Sequence, residues 1–198
     1  DAISGAVNLN ADKFEVACMH VGDEYEPAGA YDYVNRFSVV GYPSGYVDSR
    51  AYVPNFSPSS YTSKLFADLL AEKEMNYPTT TGISFTSSLS GSKITANVNV
   101  YAKEADDYKV TVLLVEDGII GYQNGGSNDY EHNHVVRLVM SDTSGDDAAI
   151  TSANSVWSKT YTGTVPAGCN MSNLRVLAYV EKPYGSQRKV QGVSDVEY

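Results

Sequence analysis

The chain has 198 residues, of which 42% are hydrophobic and 19% charged, a composition typical of a folded protein with one large core or two small ones. Its formal net charge of −10 argues against nucleic acid as a partner, because phosphate binding needs clustered Lys and Arg, and also disfavours an anionic membrane surface. The sequence lacks an apolar run long enough to span a bilayer and does not open with a signal-peptide pattern. We therefore expect Asp1 to begin a mature or trimmed product.

The first part of the chain alternates short helix and strand signals. Residues 2–9 place apolar side chains on one helical face. Residues 14–20 form a continuous apolar run, which is typical of a strand covered on both faces. A polar loop follows, and a short helix is predicted over 31–37.

An apolar segment over 39–48 is interrupted by Pro43, which cannot donate to a strand ladder and so indicates a strand edge or a special turn. A serine N-cap within 57–60 precedes a helix predicted over 61–74. Pro78 ends this helical part, since proline cannot continue a helix. The alternation of helix and strand signals predicts one domain over residues 1–78.

The sequence after Pro78 has strand character. Between 94 and 100, apolar residues alternate with Thr and Asn, a period of two that is typical of a half-buried strand. Further strands are predicted, with turn clusters between them, at 108–115, 135–140, 160–165, 174–180 and 190–196. Roughly seven short strands without a helical segment predict an antiparallel, immunoglobulin-like β-sandwich. We assign residues 79–198 to this second domain.

The two cysteines, Cys18 and Cys169, are too few for a disulfide scaffold. Cys18 lies inside an apolar run, where a thiol usually acts as a small buried hydrophobe. A bridge between them would tie the two halves together, but it needs a short separation of the two Cα atoms. Two unpaired thiols are the favoured interpretation.

Three segments resemble a known family. Residues 41–48 (GYPSGYVD) resemble the cis-proline half of a thioredoxin fold, which implies a cis peptide bond before Pro43 with a structural role. Residues 113–123 (LLVEDGIIGYQ) and 129–137 (DYEHNHVVR) look like the 28-kDa outer-membrane protein family, exported lipoproteins of Bacteroides-type bacteria. The resemblance implies a mixed α+β chain, in which a partial thioredoxin-like α/β domain lacking its first elements precedes the sandwich. The motif residues expected to be structural are Glu116, Asp117, Tyr130, His132, His134 and Arg137.

Members of that family often carry a Cys-x-x-Cys motif, which this sequence lacks. Thiol–disulfide exchange needs an activated thiolate and a resolving partner, so this chain is expected to be inert as an oxidoreductase. It also has no Gly-x-Ser-x-Gly, Walker or His-Glu-x-x-His motif. The sequence therefore favours a non-catalytic lipoprotein module at the cell surface or in the periplasm, which is tethered by an upstream lipid anchor and binds a protein or a glycan. The alternative is a fragment of a thiol–disulfide oxidoreductase whose cysteines lie upstream of residue 1.

His132 and His134 suggest a second hypothesis, a metal site. Residues two apart on a strand project from the same face, and Asp129 is close in sequence. Two imidazoles and a carboxylate can hold Zn²⁺ or another divalent metal. The competing interpretation is that the histidines and Arg137 bond to neighbouring loops. Because no third ligand is certain, we expect no cofactor and keep the metal as the alternative.

Overall fold

The computed structural model describes residues 14–49, 51–53, 60–184 and 187–197. The helix predicted over 2–9 and the serine cap before residue 60 lie outside this part. The helical elements are α1 (Ala30–Arg36), α2 (Ser60–Asn76) and a 3-10 helix (Met171–Asn173). The strands are β1 (Gly45–Val47), β2 (Ala51–Val53), β3 (Thr81–Ser90), β4 (Lys93–Ala102), β5 (Asp106–Glu116), β6 (Ile119–Gly121), β7 (Tyr130–His132), β8 (Val135–Val139), β9 (Asp146–Ile150), β10 (Ser155–Thr164), β11 (Leu174–Tyr184) and β12 (Gln187–Glu197).

The first part of the chain forms a small α/β unit. Strands β1 and β2 pair as an antiparallel hairpin, and α2 packs against it. Their shared core consists of the buried residues Val47, Val53 and Phe66, with Phe14 and Leu65 packed beside them. Within the described residues, no helix is both long and apolar enough to cross a membrane.

Two antiparallel sheets enclose the main core. One has the strand order β10-β4-β3, and the other has the order β12-β11-β5-β8, with β9 also paired to β5. The period-two pattern of β4 places Ile94, Ala96, Val98 and Val100 in this core. They meet alternate residues of β5 and β11 from the facing sheet. The prediction of a mixed chain dominated by antiparallel strands is confirmed.

The larger sheet also buries its second face. Leu113, Val115, Val136 and Leu177 form a separate buried cluster there, and Met19 packs against it. The described N-terminal residues therefore cover the side of this sheet that faces away from the smaller one. The segment around Met19 thus forms a third layer over part of this sheet.

Residues 14–20 differ from their prediction. The apolar run does not form a strand, and its one bridge joins Cys18 to Val135 in parallel. The Cys18 N–H donates to the His134 carbonyl at 2.7 Å, and the Val136 N–H donates to the Cys18 carbonyl at 3.0 Å. The run is apolar because it packs on the sheet. The apolar pattern of this run does not come from a continuous strand ladder.

Candidate functional site

One face of β11 joins the first part of the chain to the larger sheet. Arg175, Leu177, Tyr179 and Glu181 occupy alternate positions and therefore share this face, which we call the joint face. Leu177 and Tyr179 belong to the apolar cluster beneath Met19. Arg175 is 5% exposed and Glu181 is fully buried. The joint face is thus apolar at its centre and charged at both ends.

Arg175 is the centre of a polar network at one end of the joint face. Its Nε donates to Asp117 Oδ2 at 3.0 Å, and its Nη1 donates to Glu15 Oε2 at 3.2 Å. Its Nη2 donates to the Val16 carbonyl at 3.3 Å and lies 2.9 Å from His134 Nδ1. The fork of donors on a guanidinium can serve several acceptors at once, so this one side chain connects the N-terminal segment to two loops of the sandwich.

Arg36 and Glu181 form an ion pair at the other end. Nη2 of Arg36 donates to both carboxylate oxygens of Glu181, at 2.5 and 2.6 Å. Arg36 lies in the last turn of α1, where a cation also interacts well with the helix dipole. Because Glu181 is buried, this pair fixes α1 against the sheet.

Residues 113–123 and 129–137, which resemble the outer-membrane family, are together called the family segment. Its Glu116 and Arg137 pack beneath the 3-10 helix. Glu116 Oε1 accepts the Asn170 N–H at 2.7 Å, and Oε2 lies 3.3 Å from Arg137 Nε. Glu116 is buried. Asp117, the next residue, faces Arg175 instead. The adjacent carboxylates therefore serve different partners, as expected for neighbouring strand positions, and both act in holding loops together.

His132 lies in a cluster of aromatic rings. Its ring centroid is 4.8 Å from Tyr130, 5.2 Å from Tyr25 and 5.3 Å from His20. The guanidinium carbon of Arg137 lies 5.5 Å from the centre of the Tyr25 ring. Burial and, secondarily, the nearby His20 lower the pKa of His132, so the neutral imidazole is favoured. The cluster joins residues 20–25 to strand β7.

The prediction that His132 and His134 share one face is wrong. Strand β7 ends at His132, and His134 has a left-handed backbone with a φ of 62°, which breaks the period of two. The His134 N–H donates to Asp117 Oδ1 at 2.5 Å, and its ring lies beside the guanidinium of Arg175. Asp129 is exposed in the preceding turn. In the part of the chain that the structure describes, no group of three His, Cys, Asp or Glu side chains is arranged to hold a metal ion.

Neither cysteine is activated. Both are free. Burial raises the pKa of Cys18 to about 11, and the Asp117 carboxylate adds to this effect. Burial also raises the pKa of Cys169. A thiol with a raised pKa carries little thiolate near neutral pH and is a poor nucleophile.

An exposed aromatic surface lies beside Pro43, and the Tyr42–Pro43 peptide bond is cis. Val40, Tyr42 and Tyr52 are 97%, 61% and 50% exposed. Tyr46 lies between Phe37 and Tyr52, with ring centroids 4.8 and 5.5 Å away. We call Val40, Tyr42, Tyr46 and Tyr52 the tyrosine surface.

Sequence reasoning missed the two charged residues of the joint face. Arg175 and Glu181 lie at the ends of an apolar strand (LRVLAYVE), and spacing by six places them on one side of it. That spacing is the available signal. Their partners, Glu15 and Arg36, are distant in sequence and could not be assigned from a single chain.

These features define a mixed protein in which an N-terminal α/β segment is fixed to a sandwich of antiparallel sheets by buried polar contacts. The family profile described as outer membrane protein Omp28 matches residues 30–197, and the chain belongs to this family. It is accordingly an exported protein module of the outer membrane or periplasm. The family resemblance of the sequence is confirmed.

One solved structure agrees with the fold. HBP35 of Porphyromonas gingivalis superposes with a TM-score of 0.79 at 15% identity, over 99% of this chain and 68% of that one. A domain of the outer membrane lipoprotein Omp28 from the same organism gives a TM-score of 0.44 at 19% identity, over 60% of this chain and 88% of that one. A search of the curated proteins gave no match.

Proposed function

We propose that the chain is a non-catalytic module of a cell-surface or periplasmic lipoprotein that binds a protein or a glycan. The tyrosine surface is the observation that carries this proposal. Tyrosine offers a large apolar contact area with a polar tip and loses little conformational entropy on binding. A group of exposed apolar side chains on a folded protein is typical of an interaction site.

The family segment does not compete for this role, because its side chains are engaged internally. Glu116 accepts a hydrogen bond from the Asn170 N–H, Asp117 bonds to Arg175, and the ring of His132 packs against that of His20. The tyrosine surface, by contrast, is supported from below by Phe37. The Tyr46 hydroxyl donates to the Phe37 carbonyl at 2.7 Å, so the ring of Tyr46 is already oriented before a partner arrives. Such preorganisation lowers the entropic cost of binding.

The proposal includes a finer description of the architecture. The hairpin β1–β2 and helix α2, with a cis proline before them, support the description of a partial thioredoxin-like unit. The packing of two antiparallel sheets supports an immunoglobulin-like sandwich. An upstream lipid anchor would provide the attachment to the membrane, and nucleic acid is not a partner.

Site-specific photo-crosslinking tests the binding role. A photoreactive phenylalanine at Tyr52 is compared with the same residue at Met75, which is 80% exposed on α2. We expect a discrete adduct from Tyr52 on intact cells of the native host, and its loss when Tyr42→Ser is added. Equal adduct patterns from both positions, or none from Tyr52, would contradict the role of the tyrosine surface.

The oxidoreductase alternative has its own test. The purified chain should not accelerate insulin reduction by dithiothreitol, because Cys18 has a raised pKa and lacks a resolving partner in sequence. Turnover by this chain would refute the non-catalytic assignment. Reading the coding region upstream of Asp1 for a Cys-x-x-Cys and a lipobox cysteine separates a redox precursor from a tethered binding protein.

A further inference from the structure

The outer face of the smaller sheet carries a regular array of uncharged polar side chains. The strand registers align them in rows that cross all three strands. Three successive rows hold hydroxyl and amide side chains, and a fourth row ends the array with an exposed tyrosine and valine. From one end to the other, the rows are Ser88–Thr95–Thr162, Thr86–Asn97–Thr160, Ser84–Asn99–Ser158 and Gly82–Tyr101–Val156. We call these four rows the polar face.

The polar face has no charged side chain in any of its twelve positions. The nearest in register is Lys93, in the row that follows Thr95 at the hairpin end. The chain as a whole has 38 charged residues, 24 acidic and 14 basic. The polar face offers no charge that could pair with an ion of either sign, and the net charge of −10 also repels anions. Its complement is a neutral molecule.

Hydrogen bonds fix the amides at the centre of the polar face. Thr160 Oγ1 donates to Asn97 Oδ1 at 2.7 Å, and Ser158 Oγ donates to Asn99 Oδ1 at 2.7 Å. Because the amide oxygens accept these bonds, the two NH₂ groups are oriented and can donate to a ligand. The hydroxyl oxygens of Thr160 and Ser158 can in turn accept. The face thus offers paired donors and acceptors in adjacent positions.

We propose that the polar face binds an uncharged polysaccharide that lies across the strands. Adjacent strands are about 4.8 Å apart, a spacing comparable to the repeat of a pyranose unit, so that one sugar can meet each strand. Sugar hydroxyls both donate and accept, which matches the Asn and Thr groups. Tyr101 is 40% exposed and its hydroxyl is held by Asn154 at 2.9 Å. Its ring provides an apolar platform for a pyranose face at the end of the array.

A protein partner fits this face less well. Cores of protein interfaces are enriched in aromatic residues, Met and Arg, whereas three of the four rows here have hydroxyl and amide side chains. The polar face is also distinct from the tyrosine surface, which lies on the hairpin β1–β2 and the segment before it. The inference goes beyond the proposed function, since it identifies a second binding surface and the class of ligand that binds there.

The test is binding of the full chain to neutral polysaccharides. The probes are dextran, laminarin, soluble xylan, cellulose and chitin, with hyaluronan as the anionic comparison, measured by affinity electrophoresis and pull-down. We expect at least one neutral polymer to bind and hyaluronan not to bind. The variant Asn97→Ala/Asn99→Ala should weaken binding about tenfold or more, because it removes both oriented amides.

A matched control removes two amides elsewhere. Asn124 and Asn128 are exposed in the loop between β6 and β7, so Asn124→Ala/Asn128→Ala should keep full affinity. Binding should also survive Tyr42→Ser/Tyr52→Ser, so failure of the tyrosine surface and failure of the polar face can be told apart. Circular dichroism and a urea melt show that each variant is folded.

Three results would overturn the inference. They are an absence of binding to every neutral polymer, equal affinity of Asn97→Ala/Asn99→Ala and the unmodified chain, and binding to hyaluronan alone. Loss of glycan binding in Tyr42→Ser/Tyr52→Ser with no loss in Asn97→Ala/Asn99→Ala would assign the glycan to the tyrosine surface and also reject the polar face.

Discussion

Removal of Arg36 tests whether the joint face holds the layers together. Its partner Glu181 is fully buried, and the side chain of Arg36 is 20% exposed. Breaking a buried ion pair by deleting one partner costs about 3–5 kcal/mol, because an uncompensated charge remains inside. Since Arg36 is partly in contact with solvent, we take the lower end and expect Arg36→Met to lower the free energy of unfolding by about 3 kcal/mol. For a chain of this size the melting temperature should fall by about 6–12 °C.

Comparison of the single variants with the double variant separates the cost of an unpaired buried charge from the cost of lost packing. Glu181→Leu leaves Arg36 free to reach solvent, so we expect a smaller cost of about 1 kcal/mol. Arg36→Met/Glu181→Leu replaces the pair by apolar side chains and should be within about 1 kcal/mol of the unmodified chain. The expected coupling energy is therefore about 3–5 kcal/mol in a double-mutant cycle.

Urea unfolding at pH 7, followed by fluorescence and circular dichroism, measures these free energies. Lys64→Met is the matched control. It removes a Lys64–Asp68 pair at 2.6 Å whose side chains are 71% and 59% exposed, and an exposed pair of this kind contributes less than about 0.5 kcal/mol. A cost for Arg36→Met no larger than that of Lys64→Met, or additive single variants, would refute the reasoning.

The remaining predictions concern a thiol, an imidazole and two glycines. Cys18, with a pKa raised to about 11, should stay unmodified by iodoacetamide at pH 8 and react on addition of urea, as intact mass will show; rapid labelling of the folded chain would contradict the raised pKa. Because burial lowers the pKa of His132 below 6.5, the folded state binds fewer protons than the unfolded state, and the free energy of unfolding should fall as the pH drops from 7 to 5. His132→Phe should reduce that slope in urea titrations, and an unchanged slope would refute the assignment. A Cβ on Gly121 would lie 2.0 Å from the Tyr25 hydroxyl, whereas one on Gly82 meets nothing within 4 Å. Gly121→Ala should therefore destabilise by about 1–3 kcal/mol by overpacking, while Gly82→Ala should not, and equal melting temperatures would disprove the difference.

Strand periodicity explains how much of the fold could be predicted. Alternation along β4 is clear because every second residue from Ile94 to Val100 is apolar and faces the core, and the Thr and Asn residues between them face outward. Strand β3 has the same alternation, with Ile83, Phe85 and Leu89 packed on the core, but its many serines and Gly82 obscure the pattern. Strand β9 was missed because acidic residues open it. Asp146 and Asp147 pair with lysines of neighbouring strands, at 3.0 and 2.8 Å, and such cross-strand partners are not visible in one sequence.

The site was less predictable than the fold for a different reason. The interpretation of His132 and His134 assumed a continuous strand, and a single residue with positive φ removed that premise. A positive φ at His134 could not be predicted from the sequence, because histidine can adopt this conformation but does so uncommonly. The partners of Arg175 lie up to 160 residues away in the chain. Local patterns therefore identified the segment that matters but could not say what its side chains contact.

The distribution of buried and exposed polar groups decides which residues can carry function. The family segment engages its polar side chains internally, since Glu116 and His132 are buried and Asp117 bonds to Arg175. Burying the charges of the joint face costs desolvation free energy, and the ion pairs offset this cost only when each charge is well placed against its partner. The role of the joint face is then to set the orientation of the α/β unit on the sandwich. Function in this module is accordingly expected at its exposed faces, while its buried charges hold the layers in place.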